Sequence, residues 1–170
     1  IEKDKIDGSG ISKDTVIRLH KNYHTKALAI LSKLNVEKTN LYDYSEFGIT
    51  DTGAKYNFPI HNDDPNKLLS GVIYLSPKES IGTKFYKNKI GDDQNCVAWN
   101  INRAVFFSRD EKNSWHSFNG SDKQVRRVLV YNLMTKNIKE VCRIEKVNYF
   151  LVKFKHLVNP YLYRFFKFVI

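Results

Sequence analysis

The chain has 170 residues, of which 42% are hydrophobic and 14% aromatic, and its formal net charge at pH 7 is +10. A chain of this length and composition can bury one hydrophobic core, which excludes an intrinsically disordered protein and leaves little room for a second domain. It contains no apolar run of about eighteen residues or more, so the sequence predicts no membrane-spanning helix.

The positive charge is concentrated in the C-terminal part of the chain. Residues 123–170 contain eleven Lys and Arg but only two Asp and Glu, so the rest of the chain is close to neutral. A basic segment is typical of proteins that bind nucleic acid, an anionic membrane or a phosphorylated substrate. A second interpretation stays open, because the preference for Lys over Arg and the many Asn, Ile, Phe and Tyr also fit a coding bias.

The two cysteines, Cys96 and Cys142, are far apart and lack the spacing of metal ligands. They do not form a disulfide framework, and we expect both to be reduced, as in a cytoplasmic protein. The chain begins with Ile1-Glu2-Lys3-Asp4 instead of an initiator methionine, and this start does not resemble a signal peptide. We expect that more sequence precedes it or that a tag was removed.

The N-terminal part predicts one long helix. Residues 1–10 are polar and contain two glycines, which indicates a loose segment, and Ser12 is a suitable N-cap. Apolar residues then recur at three- and four-residue steps, which predicts an amphipathic helix over residues 13–34. His20 and His24 lie one turn apart in it. Because no acidic residue or third ligand is near them, we expect a surface pair and not a metal site.

After residue 35 the pattern changes to short segments rich in aromatic and β-branched residues, separated by turn residues. The predicted strands are residues 40–49, 55–61, 68–75, 83–86, 96–100, 103–108, 115–118 and 125–133. About eight short strands after one helix predict an all-β core, either a sandwich, a barrel or a jelly roll.

The strand pattern ends near Thr135. Residues 138–147 fit a short helix, and residues 149–170 fit helical stretches on either side of Pro160, because proline ends or kinks a helix. The sequence therefore predicts an α+β protein with a domain at residues 1–135. A basic aromatic extension at residues 136–170 is expected to pack on this domain or on a membrane surface.

A candidate metal site is formed by His61 and Asp63 and by His116 in a later strand. Iron(II) in oxygenases favours two imidazoles and one carboxylate on one face, which leaves the opposite positions open. Side chains at i and i+2 of a strand point the same way, so Asp63, and not Asp64, is the expected partner of His61. A lone His-x-Asp triplet occurs easily by chance, and the alternative for His116 is a core histidine.

These residues and their flanks resemble the iron(II)- and 2-oxoglutarate-dependent dioxygenases, in particular the prolyl-hydroxylase-like branch. The resemblance covers residues 42–134 and implies a double-stranded β-helix, or jelly roll. The family usually has two glycines at the start of one strand, and this chain has only Gly82 there. The segments that carry the resemblance are His61-Asn62-Asp63-Asp64-Pro65-Asn66, Leu69-Ser70-Gly71-Val72-Ile73-Tyr74-Leu75, Gly82-Thr83-Lys84-Phe85-Tyr86, Asn102-Arg103-Ala104-Val105-Phe106-Phe107, Trp115-His116 and Arg126-Arg127-Val128-Leu129-Val130-Tyr131.

The resemblance also implies residues that bind the co-substrate 2-oxoglutarate. Tyr74 is expected to donate a hydrogen bond to its distal carboxylate, and a sheet-core tyrosine is the alternative. Arg126 or Arg127 is expected to grip the same carboxylate, since a planar guanidinium offers two parallel hydrogen bonds. The spacing from His116 favours Arg126, and strand alternation lets only one of the two arginines face inward.

The implied activity is the hydroxylation of an unactivated C–H bond. It requires Fe(II), consumes 2-oxoglutarate and O2, and releases succinate and CO2. The substrate is expected to be a small molecule, a lipid- or sugar-linked metabolite or a protein side chain, selected by loops at residues 50–56 and 77–82. The alternatives are a non-catalytic jelly-roll binding module and a basic adaptor that acts through residues 136–170. Residues 149–170 are expected to pack on the barrel, to lie on an anionic membrane as in a peripheral membrane protein, or, least favoured, to bind nucleic acid.

Overall fold

The computed structural model describes residues 5–120 and 124–166. This part of the chain forms nine strands and four helices. In chain order they are β1 Lys5–Ser9, α1 Lys13–Leu34, α2 Val36–Thr39, β2 Tyr44–Thr52, β3 Asn57–His61, β4 Lys67–Ser76, β5 Lys84–Tyr86, β6 Asn95–Cys96, β7 Ala104–Ser108, β8 Trp115–Asn119, β9 Arg126–Met134, α3 Ile138–Ile144 and α4 Tyr149–Phe166.

The strands form two sheets. The larger has the order β1-β2-β9-β4-β7 and the smaller the order β3-β8-β5-β6. All pairings in both sheets are antiparallel except that of β1 with β2. The predicted all-β core with flanking helices is therefore confirmed, and the two sheets form a double-stranded β-helix. Side chains that point from both sheets into the space between them can meet there, and this space holds the candidate site.

Helix α1 is built as its sequence pattern predicts. The Ser12 side chain accepts a hydrogen bond from the backbone N–H of Thr15, which satisfies one of the free donors of the first turn. One face of the helix buries Val16, Ala27 and Leu31 in the main core. The core members from the larger sheet are Phe47, Leu68, Leu69, Tyr131 and Leu133.

Two predictions for the N-terminal part were wrong. Lys5–Ser9 is not loose but pairs in parallel with β2, because backbone hydrogen bonds at a sheet edge do not require an apolar side-chain pattern; residues 1–4 lie outside the described residues. His20 and His24 are half-buried and not a surface pair, with stacked rings whose centroids are 4.3 Å apart. His24 also contacts Tyr42, which explains why it is drawn inward.

The predicted strand at residues 96–100 is almost absent. Only Asn95–Cys96 pairs, as the short strand β6. Trp99 is instead buried, stacked on Tyr74 with ring centroids 4.3 Å apart, and its indole N–H donates to the carbonyl of Pro77. Trp99, which contributed to the strand prediction, is thus held by side-chain packing and not by strand pairing. Cys96 is exposed and Cys142 buried, and both are free thiols.

The C-terminal helices differ from the prediction at Pro160. Helix α4 begins at Tyr149 and is capped by Asn148, whose side chain accepts from the backbone N–H groups of Phe150 and Leu151. It then runs continuously through Pro160 to Phe166. His156 contacts Asp64 before the proline and Tyr163 contacts Tyr56 after it, and these contacts offset the hydrogen bond that proline removes. None of the described helices is long and apolar enough to cross a membrane.

Candidate metal centre

Strands β3 and β8 bring the two predicted histidines together. His61 and His116 are direct partners in the antiparallel pairing, and their ring centroids are 4.2 Å apart. The pairing is irregular between Phe58 and His61, where Pro59 has no N–H to donate to the ladder. Residues 55 positions apart in the sequence therefore meet because two strands of the smaller sheet are neighbours.

Both imidazoles are oriented by the same local hydrogen bond. Nδ1 of His61 lies 2.9 Å from the carbonyl oxygen of Pro59, and Nδ1 of His116 lies 2.9 Å from that of Ser114. A carbonyl oxygen only accepts, so each Nδ1 carries a proton, and Nε2 is the nitrogen that a neutral ring offers to a metal. Histidines that bind metals are commonly fixed in this way.

Asp63 completes the group directly after β3. The ligand atoms of His61, Asp63 and His116 all lie within 4.8 Å of one another. The start of β4 holds the carboxylate: Nζ of Lys67 is 2.7 Å from Oδ1, and the hydroxyl of Ser70 donates to Oδ2. Neither Lys67 nor Ser70 was expected from the sequence, since nothing in their spacing distinguishes them from other strand residues.

The surroundings keep His61 and Asp63 in the form that binds a cation. Burial, reinforced by the neighbouring His116, lowers the pKa of His61 to about 4, so its imidazole is neutral at pH 7. Burial alone would raise the pKa of Asp63, but the ammonium of Lys67 holds it well below its usual range. The site therefore offers two imidazole nitrogens, of which that of His61 is neutral at pH 7, and one carboxylate.

A cavity of about 190 Å³ between the sheets joins these residues to Arg126. Arg126 is 2% exposed, and burial lowers the pKa of its guanidinium. Three aromatic rings surround it: its Cζ lies 5.1 Å from the ring centroid of Phe118, 5.3 Å from Trp99 and 5.6 Å from Tyr74. Its buried Nε has no hydrogen-bond partner among the described residues. A buried cation in this state favours an anionic ligand.

Arg127 lies on the opposite face of β9. It is exposed, and its Nε and Nη2 are each 2.7 Å from an oxygen of Asp51. The alternation of side chains along a strand accounts for this difference between neighbours. Of the two candidate arginines, the structure brings only Arg126 to the cavity.

Tyr74 is fully buried beside the cavity but does not line it. Its hydroxyl donates to Oγ1 of Thr83 at 3.0 Å and accepts from the backbone N–H of Thr83 at 2.8 Å. Thr83 itself lines the cavity, which the sequence did not indicate. Any hydrogen bond from Tyr74 to a ligand therefore competes with its bonds to Thr83.

A second, outer cleft of about 310 Å³ lies between the metal-site residues and α4. Three contacts fasten the helix over it. Nδ1 of His156 is 2.9 Å from Asp64, Nζ of Lys155 is 3.2 Å from Glu111, and the hydroxyls of Tyr163 and Tyr56 are hydrogen-bonded. Asp64 is thus outside the metal-ligand group, as expected, but anchors α4. From the sequence we expected the loops at residues 50–56 and 77–82, and not α4, to lie beside the substrate.

A buried ionic network supports the loop that carries Asp63. Nε of Arg109 donates to the backbone carbonyl of Asp63 at 3.3 Å, and its other nitrogens pair with Glu145 and Glu111. Glu145 also accepts from Lys38 at 2.7 Å. The network connects the loop to α2 and to the end of α3, so the position of Asp63 depends on distant parts of the chain.

Comparison with solved structures identifies the architecture. A prolyl 4-hydroxylase from Pseudomonas putida superposes with a TM-score of 0.52 at 15% sequence identity, over 75% of this chain and 70% of that one. The chain has the fold of the prolyl 4-hydroxylases. One from Phytophthora capsici gives a TM-score of 0.50 at 18% identity over 72% of this chain, which spans only 44% of that protein. The resemblance to the prolyl-hydroxylase-like branch is therefore confirmed for the fold. No protein-family model and no curated protein sequence matches the chain significantly.

Proposed function

We propose that the chain is an Fe(II)- and 2-oxoglutarate-dependent dioxygenase that hydroxylates an organic substrate and releases succinate and CO2. One observation carries the proposal. The ligand atoms of His61, Asp63 and His116 lie within 4.8 Å of one another on the same cavity that holds the buried Arg126. A metal site next to a buried guanidinium is the arrangement that a chelating dicarboxylate needs.

The residues present fit both groups. Two imidazoles and one carboxylate are the ligand set of non-haem iron(II) oxygenases, and the cavity leaves room beside them for further ligands. Iron, when bound, supplies the activation of dioxygen, which no protein side chain can perform. Arg126 fits a carboxylate because its Nε is buried without a partner among the described residues.

The other residues position the ligands and exclude water. Arg126 binds the distal carboxylate of 2-oxoglutarate, and the rings of Phe118 and Trp99 keep that end of the cavity apolar, which strengthens the ionic hydrogen bonds. Tyr74 holds Thr83 at the cavity wall and turns towards the carboxylate only if its bonds to Thr83 break. Arg127, paired with Asp51, has no role in binding.

The outer cleft is the proposed substrate site. Its volume of about 310 Å³ is at the small end of the range for ligand pockets, which fits a small molecule or a single side chain of a protein. It shares His61 and Asp63 with the inner cavity, so a substrate there lies next to the metal. Lys155, His156 and Asn159 line it from α4 and offer polar contacts.

An anaerobic titration tests the proposal. Iron(II) and then 2-oxoglutarate are added to the purified chain, and the weak visible charge-transfer band of the chelate is recorded. We expect the band with the native chain and its loss in His61→Ala and Asp63→Ala, because each removes a metal ligand. A native chain that binds iron and 2-oxoglutarate without this band would contradict the proposal.

The two neighbouring arginines provide a matched pair. We expect Arg126→Gln to weaken 2-oxoglutarate binding by roughly 100-fold without loss of the metal, since charge-assisted hydrogen bonds in a buried site are lost. Arg127→Gln should leave the affinity unchanged, because that side chain is exposed and paired with Asp51. The opposite result would assign the carboxylate site to the other face of β9.

A further inference from the structure

Helix α4 turns its apolar side chains away from the protein. Seven large apolar or aromatic side chains on it are between 58% and 77% exposed. They are Phe150, Leu151, Phe154, Leu157, Tyr161, Phe165 and Phe166. Only Val152 of this helix is fully buried. An apolar surface of this extent is uncommon on a soluble protein and indicates a contact surface.

The spacing of these residues gives the helix two distinct faces. Phe150, Phe154, Leu157, Tyr161 and Phe165 follow one another at steps of four, three, four and four residues, so they form one stripe along the helix. The residues that line the outer cleft lie on the other side. They are Val152, Lys155, His156, Asn159, Pro160 and Tyr163. One face of the helix thus points to the cleft, and the apolar stripe is open to solvent.

Positive charge accompanies the apolar stripe. Residues 146–170 contain five Lys and Arg and no Asp or Glu. Lys153 and Arg164 are exposed and lie against aromatic rings of the same helix, with the charged groups 5.9 Å and 5.8 Å from the ring centroids of Tyr149 and Phe165. Long basic side chains next to apolar and aromatic ones are the composition of helices that lie in a membrane interface.

We propose that the outer face of α4 lies on the surface of an anionic membrane. The combination of stripe, basic flanks and missing acidic residues is complementary to acidic lipid headgroups above an apolar layer. The helix does not span the bilayer, in accord with its length and polarity. Because α4 also covers the outer cleft, the protein holds the wall of that cleft at the lipid surface.

Binding to vesicles tests this proposal with the full chain. Co-sedimentation is measured with vesicles of phosphatidylcholine alone and with vesicles that also contain phosphatidylserine. We expect binding to the anionic vesicles, weaker binding at high salt because the charges are screened, and little binding to the neutral vesicles. No binding to anionic vesicles, or equal binding to both, would overturn the proposal.

Paired substitutions separate α4 from other exposed apolar residues. Phe154→Ser with Leu157→Ser should weaken vesicle binding by roughly tenfold or more, since two apolar anchors are lost. The control Ile17→Ser with Leu34→Ser changes two exposed apolar residues of α1 and should have no effect. Lys153→Gln with Arg164→Gln should weaken binding about fivefold per charge, whereas Arg18→Gln with Lys33→Gln should not.

Two further readouts distinguish other occupants. If the serine variant of α4 reduces self-association in sedimentation velocity while vesicle binding is absent, the face is an interface between copies of the chain. If a single-stranded DNA probe binds with the same dependence on Lys153 and Arg164, the partner is a nucleic acid. Either result overturns the membrane proposal. The iron titration of the same variants should match the native chain, so failure here leaves the proposed function intact.

Discussion

The two long helices, α1 and α4, are both amphipathic but are oriented in opposite ways. Helix α1 turns its apolar face to the larger sheet, where Val16, Ala27 and Leu31 are buried, and presents its polar face to solvent. Helix α4 turns its other face to β3 and the loop after it, where Tyr163 contacts Phe58 and His156 contacts Asp64, and leaves its apolar stripe open.

The difference shows what an amphipathic pattern does and does not determine. A stripe of apolar residues requires that one face of a helix be covered, but it does not state by what. For α1 the cover is the core of the same chain. For α4 the ionic and hydrogen-bonded contacts with the rest of the chain involve the face opposite the stripe. The apolar stripe therefore stays exposed, and the hydrophobic effect favours its burial against another partner. We therefore expect α1 to contribute to stability and α4 to contribute to function.

The largest expected effect tests this difference directly. Leu31→Ala removes a side chain of α1 that is 0% exposed and should lower the free energy of unfolding by about 2–5 kcal/mol. Leu157→Ala removes a leucine side chain of α4 that is 59% exposed. This substitution should change the free energy of unfolding by less than about 0.5 kcal/mol. Urea unfolding of both variants measures this. Equal destabilisation would mean that the stripe on α4 is buried in the protein in solution.

A pH effect of intermediate size concerns the residue beneath α1. Tyr131 stacks on Phe47, and burial raises its pKa to about 12. The unfolded chain loses this proton near pH 10, and the folded chain retains it to about pH 12. The folded state therefore loses stability as pH rises through this window, by about 3 kcal/mol at most. Unfolding measured against pH should show this loss, and Tyr131→Phe should reduce it. An unchanged slope in the variant would contradict the assignment.

The smallest expected effect concerns the attachment of α4. Tyr56→Phe removes the hydroxyl that bonds Tyr163 and should cost about 0.5–1 kcal/mol locally. Because the cost falls on one helix, hydrogen exchange of the α4 amides should accelerate while urea unfolding stays the same. Exchange in α1 serves as the internal control. Acceleration in both helices would indicate that α4 is part of the main cooperative unit.

The elements that could be predicted are those whose side chains face the core. Helix α1 and most strands follow from the periodicity of apolar residues, and their observed ends differ from the predicted ones by a few residues. Strand β1 could not be found this way, because its pairing with β2 uses the backbone. The continuity of α4 through Pro160 depends on contacts with Asp64 and Tyr56, which no local pattern contains.

The candidate site also contains residues that the sequence could predict and residues that it could not. His61, Asp63 and His116 could be nominated because alternation and residue type constrain metal ligands, and the structure places them together. The buried network of Lys38, Glu145 and Arg109 could not, because its members are 36 to 107 residues apart and pair only in the folded chain. To choose between Arg126 and Arg127, one must know which face of β9 points into the cavity. The spacing from His116 favours Arg126 but does not determine that face.

The ammonium of Lys67 has a consequence for how ligands bind. The lining of the inner cavity contains two cations, Lys67 and Arg126, and one carboxylate, that of Asp63. A divalent metal ion alone adds to an excess of positive charge, whereas a dianionic co-ligand compensates it. Metal and dianion should therefore bind cooperatively. Thermodynamic linkage requires that each raise the affinity of the other by the same factor, so the cavity fills with both together more readily than with either alone.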